Sequence, residues 1–164
     1  MTSIMNYLLN CGLFLLPITA WNLIFAGKLP RLYSPEVFER AVPPFILSGE
    51  NFFRFIVFSL TFFMPLRIET QIQKIGFWLY AAGTIIYFTA WLLQIYFPQS
   101  GWSLSAFGFL APAYTPLLWL IGIGLVGSTL YFASPYRSWM YIVLSIIFVG
   151  FHFSHTAIVY LKNS

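Results

Sequence analysis

The sequence predicts an all-α protein, a polytopic transmembrane helical bundle of about five spans with one short interfacial helix, forming a single membrane domain over 1–164. Three observations carry that expectation. Only 7% of the 164 residues are charged, while 60% are hydrophobic and 21% aromatic, against a charged share of about a quarter in soluble domains. The charges are also gathered: apart from Arg137 and Lys162, every Lys, Arg and Glu lies between Lys28 and Lys74, and there is no Asp. What remains divides into apolar stretches of about 20 residues, the length a helix needs to cross roughly 30 Å of hydrocarbon.

The first span is expected over 4–26, apolar except for Asn6, Asn10, Thr19 and Asn22, with Pro17 bending it and Gly27 ending it. Met1 to Gly27 lacks a basic leading segment, so it reads as a span rather than a secretion signal. The charged loop from Lys28 to Ala41 follows. Within it Ser34-Pro35-Glu36 has the form of a helix start, and the resulting short interfacial helix is expected to turn Val37 and Phe38 toward lipid. The second span is placed at 43–66, because consecutive prolines at Pro43-Pro44 suit a helix N-terminus and no helix interior. That start puts Glu50 and Arg54 inside the helix at i and i+4, on one face.

A polar turn from Pro65 to Lys74 leads to the third span, 75–97, which is uncharged and rich in aromatics. The segment from Pro98 to Leu110 carries Trp102, Phe107 and Phe109 but no charge, as expected of chain lying at the membrane interface or dipping into it. The fourth span is set at 111–133, entered through Pro112 and Pro116. After a turn around Arg137, the fifth runs over 139–161.

An odd number of spans places the two ends on opposite sides, with Lys28, Arg31, Arg40 and Lys162 against Arg67, Lys74 and Arg137. Four basic residues against three leave the orientation open in what is expected to be a plasma or inner membrane. The net charge of +4 is scattered rather than concentrated, which suits contact with membrane lipid headgroups and excludes a nucleic-acid footprint. The lone Cys11 has no internal disulfide partner and behaves as a small hydrophobe.

Glu50 and Arg54 are the first candidate site residues. Ionisable groups at membrane depth cost roughly 2.5–3.5 kcal/mol each on the insertion scale, so they persist where they pair or line a polar cavity. Arg54 in that setting can clamp an anionic head through its planar fork. His152 and His155 are the second pair, at i and i+3 on one helix face together with Ser145 and Thr156, where imidazole can donate and accept near neutral pH. Thr84, Tyr87, Trp91 and Gln94 form a third stripe along one side of the third span. Of these, Trp91 and Gln94 complete the expected ligand-binding set of Glu50, Arg54, Trp91, Gln94, His152 and His155. The structural alternative for each is hydrogen bonding between helices.

The motif Gly122-Ile-Gly124-Leu-Val-Gly127 matches a dinucleotide fingerprint by letters only, with no strand before it. Gly124 and Ser128 instead make a small-xxx-small face, internal to the bundle or joining it to a second copy or a membrane-complex partner. No Cys-x-x-Cys, His-Glu-x-x-His or acidic metal cluster is present, so no metal site and no named cofactor follow from the sequence.

The size and aromatic-rich build are similar to the tryptophan-rich sensory, translocator-type proteins. Glu39-Arg40 with Glu50-Asn51 is similar to the charged loop of the membrane glutathione transferases. Neither similarity reaches a motif from which residue roles can be taken. The leading functional expectation is binding or movement of a hydrophobic or lipid-like small molecule in an intrabundle polar and aromatic pocket. The alternatives are a membrane-embedded enzyme using a histidine acid/base on a lipid or thiol conjugate, and a non-catalytic subunit of a membrane complex.

Overall fold

The computed structural model describes residues 7–38, 40 and 42–163. Ile4, Asn6, Glu39 and Ala41, which entered the reading of the first span and its loop, lie outside the described residues. Among the described residues the protein is all-helical, with five principal helices: α1 (Cys11–Lys28), α2 (Pro44–Phe63), α3 (Gln71–Tyr96), α4 (Ala111–Val126) and α5 (Ser138–Asn163). Four of them, α1, α2, α3 and α5, are long and apolar enough to cross a membrane, and α4 is a shorter apolar helix.

The outside of the bundle is apolar, and its largely apolar core also encloses a set of polar side chains. Glu50, Thr61, Gln73, Gln94, Ser145, His155 and Thr156 are buried, whereas Leu23, Phe45, Phe55, Trp78, Ile85 and Leu161 stand exposed. Water would penalise that arrangement and hydrocarbon favours it, because only polar side chains must turn inward to find partners in lipid.

The helix ends show which local rules won. Asn10 is no mid-span residue. Its Oδ1 accepts from the Gly12 amide at 2.9 Å and caps a 3-10 turn that passes into α-helix at Leu15, just before Pro17. α2 starts at Pro44 behind Pro43, as the double proline requires, but stops at Phe63 rather than 66, where Met64 turns extended. α3 starts at Gln71, earlier than expected, because Thr70 and Gln73 form a reciprocal capping box. Lys74 therefore belongs to the first turn of the helix and not to the preceding loop.

α4 corrects the expected 111–133 span most. It ends at Val126, and the chain from Gly127 leaves the helix to be held back by other partners. The Tyr136 hydroxyl donates to the Gly127 carbonyl at 3.1 Å and the Tyr131 amide donates to the Phe63 carbonyl at 3.0 Å. At 1.5 Å per residue such a helix falls short of the hydrocarbon thickness.

α3 and α4 approach most closely, and glycines allow it. A Cβ on Gly122 would sit 2.7 Å from the Gly76 carbonyl oxygen, and one on Gly83 would sit 2.6 Å from the Trp119 nitrogen. Gly124 is also spent inside the chain, where a Cβ would meet Tyr141 and Ile142 at 2.9 Å. Ser128 lies beyond the helix end, with its hydroxyl taking a hydrogen bond from Gln73 at 3.2 Å.

The end of the bundle carrying Leu29–Val42 and Phe97–Leu110 positions the site. Pro35–Phe38 forms one helical turn, but Phe38 faces inward, against expectation. Its ring lies 4.2 Å from the His155 ring and 6.0 Å from Tyr33. Two further single turns, Gly101–Leu104 and Ala106–Phe109, are capped by Ser100 and Ser105 and fold back onto α3. Ser103 donates to the Leu93 carbonyl at 3.2 Å and Gln94 donates to that of Gly108 at 2.8 Å.

Tyr33 ties the two loops together by donating to the Phe109 carbonyl at 2.6 Å. Burial pushes its phenol well above the usual tyrosine range, so it stays a neutral donor. Tyr33→Phe is expected to cost about 1 kcal/mol, the net worth of one buried hydrogen bond, read as a lowered midpoint of thermal unfolding. An unchanged midpoint would show that the two loops are held by their apolar contacts alone.

Candidate functional site

α2 and α5 bring the two charged pairs together because Gly49 lets them touch: a Cβ there would strike the Phe151 ring at 2.6 Å. One residue on, Glu50 is only 2% exposed and all its polar contacts are within the protein. Its Oε1 accepts from the Arg54 guanidinium Nη2 in an i, i+4 ion pair, and also meets His152 Nδ1 at 3.0 Å. Its Oε2 lies 2.5 Å from His155 Nδ1. One carboxyl thus gathers an arginine and two imidazoles.

Each partner is itself oriented. Arg54 Nη1 donates to Asn51 Oδ1 at 3.2 Å, and the guanidinium sits 5.8 Å from the Phe148 ring centre. His152 stacks on the same Phe148 at 5.9 Å, while His155 Nε2 lies 3.0 Å from the Phe38 carbonyl. The Ser145 and Thr156 hydroxyls turn back to carbonyls of α5 at 2.9 Å and do not join the cluster.

In front of this cluster lies a cavity of about 350 Å³ to which all five principal helices contribute. Arg54 and His152 form its polar wall. Trp21 and Asn22 of α1, Phe58 of α2, Tyr87 and Trp91 of α3, Trp119 of α4 and Phe148 of α5 supply the rest. Trp21 stacks on Phe88 at 4.1 Å, and Tyr87 donates to Asn22 Oδ1 at 2.9 Å. The indole N–H groups of Trp21 and Trp119 are buried and have no hydrogen-bond partner among the described residues, while that of Trp91 lies beside the Tyr87 hydroxyl.

No protein-family model, curated protein or solved structure matches the chain. Its chemistry therefore rests on these side chains.

The expected set separates into groups. Glu50, Arg54, His152 and His155 come together, with Arg54 and His152 on the cavity and Glu50 and His155 behind them. Trp91 lines the opposite wall. Gln94 does not reach the cavity, since its amide is spent on Gly108 one turn further along. Thr84 is buried without a hydrogen-bond partner among the described residues. The reading of the sequence did not find Trp21, Trp119, Phe148, Gly49 or the Phe38 carbonyl. Only the indoles had a signal, as amphipathic rings in apolar spans. Among the described residues no group of three or more His, Cys, Asp or Glu is arranged to hold a metal ion. Both imidazole Nδ1 atoms are directed to the oxygens of Glu50 and not to a shared point.

Proposed function

We propose that this protein binds, or carries across the membrane, a hydrophobic or lipid-like small molecule whose anionic head is received by Arg54 in the five-helix cavity. The single observation that carries the reading is the setting of Arg54: its guanidinium lines a cavity walled mostly by aromatic rings, where the Asn22 oxygen is already taken by Tyr87. A ligand bringing an oxygen anion pairs with it. The aromatic walls suit its apolar body. Hydrogen bonds to charged groups are worth about 1.5–3 kcal/mol, and losing one from Arg54 weakens binding by about tenfold to a hundredfold.

The test is a titration of intrinsic tryptophan emission in nanodiscs of uncharged phosphatidylcholine, using decanesulfonate and, as its cationic counterpart, decyltrimethylammonium. A saturable change is expected with the sulfonate alone, weakened at least tenfold in Arg54→Ala. Equal responses to both probes, or to the sulfonate in wild type and variant, would remove the reading.

Catalysis is a second reading, favoured by one observation: His152 Nδ1 rests on the Glu50 carboxyl, which leaves Nε2 as a base beside the cavity. Turnover of an ester-bearing amphiphile with a histidine-like pH profile, abolished in His152→Gln, would favour it.

A further inference from the structure

We infer that the ligand is a monovalent amphipathic oxyanion and that its binding is linked to one proton held between Glu50 and His155. This rests on the binding reading above and adds to it the charge of the ligand and the coupling.

The proton count follows from acceptor chemistry. The Phe38 carbonyl can only accept, so the His155 Nε2 facing it at 3.0 Å carries a hydrogen. On the other side of the ring, Nδ1 stands 2.5 Å from Glu50 Oε2. A bare nitrogen and a bare carboxylate oxygen both present lone pairs and do not hold that distance, so a second proton lies between them. Whichever atom it sits on, the carboxyl and the imidazole together are neutral: carboxylate with imidazolium, or carboxylic acid with imidazole. Arg54 then leaves the trio with one net positive charge.

Among the described residues no other acid pairs with the trio. His152 completes the cluster, with its Nδ1 3.0 Å from Glu50 Oε1. From α1 and α3 the facing polar groups are Asn22 and the Tyr87 phenol, bonded to each other. α4 brings an indole. The Tyr33 phenol packed on Phe38 is a neutral donor to Phe109, while Arg31, Glu36 and Arg40 of the same surface segment are exposed. Among the described residues Glu50 is the only acid in an ion pair, and it is already counted. A lone positive charge inside an apolar bundle is expensive. One negative charge in the cavity, beside Arg54, cancels it, whereas a dianion would overshoot.

Linkage makes the effect reciprocal. The anion binds best when the Glu50–His155 proton is present, and the anion in turn holds that proton. The Phe38 carbonyl on the far side of the ring belongs to the loop whose Arg31, Glu36 and Arg40 are exposed.

Decanesulfonate tests this, because its own charge is constant over pH 5.5–9. In wild-type nanodiscs its affinity is expected to fall as pH rises, by at most about tenfold per unit where the proton is leaving. Calorimetry in phosphate and in Tris at alkaline pH should show about one proton taken up per sulfonate bound. His155→Gln, which keeps Glu50, Arg54 and His152 but lacks the shared proton, should bind with a flat profile at the weakened level of alkaline wild type. Saturable wild-type binding with no pH slope and no proton uptake would overturn the coupling and leave the binding reading standing. A slope that survives in His155→Gln but vanishes in His152→Gln would also overturn it. If either variant does not fold, the wild-type proton count decides alone. Absence of sulfonate binding at every pH would overturn both inferences.

Discussion

Glu50→Ala is expected to lower stability by about 3 kcal/mol, the lower end of the cost of removing one partner from a buried ion pair, because here only the carboxyl is fully buried. The loss is concentrated there because this carboxyl is the shared acceptor for Arg54, His152 and His155. Without it, Arg54 and the proton-bearing imidazole face each other with no anion between them. Glu50→Gln should lose much less, since the amide oxygen still accepts from Arg54 and the amide nitrogen can donate to His155 Nδ1. Arg54→Ala should also be milder, because the Arg54 side chain is 41% exposed and its removal leaves Glu50 with two imidazoles. Thermal unfolding in a mild detergent compares the three. If alanine and glutamine at position 50 unfold together, the cluster contributes shape rather than charge balance.

Gly122→Ala should produce the second large loss, about 3 kcal/mol, at the upper end of what overpacking costs. The added methyl would meet the Gly76 carbonyl oxygen at 2.7 Å and the backbone of Tyr80. Backbone atoms of two helices cannot rotate out of the way as a side chain can. The helices would have to separate, and with them Tyr87 and Trp119, which wall the cavity from α3 and α4. Gly150 is the control: nothing lies within 4 Å of a Cβ built there, and Gly150→Ala should gain about 0.5–1 kcal/mol of helix propensity. Equal unfolding midpoints for the two variants would contradict the glycine-mediated contact.

What the sequence makes legible here is what depends on charge and proline. The absence of charges locates the spans, and Pro43-Pro44 fixes where α2 begins, so that Glu50 and Arg54 fall on one face. His152 and His155 share a face by spacing alone. The helix ends are less legible, because in lipid both faces of a helix are apolar and the usual amphipathic signal fades. The break after Val126 depends on Tyr136 and Phe63 supplying hydrogen bonds from elsewhere in the chain. Gln94 looked identical to a pocket residue until Gly108 came beside it. Phe38 was expected in lipid because it follows a helix start, but the His155 ring beneath it offers a better contact. Trp21 and Trp119 were indistinguishable from the other indoles until tertiary packing showed which N–H groups lack acceptors. Gly49, Gly83 and Gly122 carry close helix approaches, and spacing gave no hint which glycines would.

The central claim is that the five-helix cavity holds an acidic amphiphile against Arg54. Native mass spectrometry of the gently solubilised protein tests it most directly. A discrete, dissociable adduct of anionic character is expected on wild type and should be absent from Arg54→Ala at matched folding. Bare protein in both samples, or the same adduct on both, would contradict it.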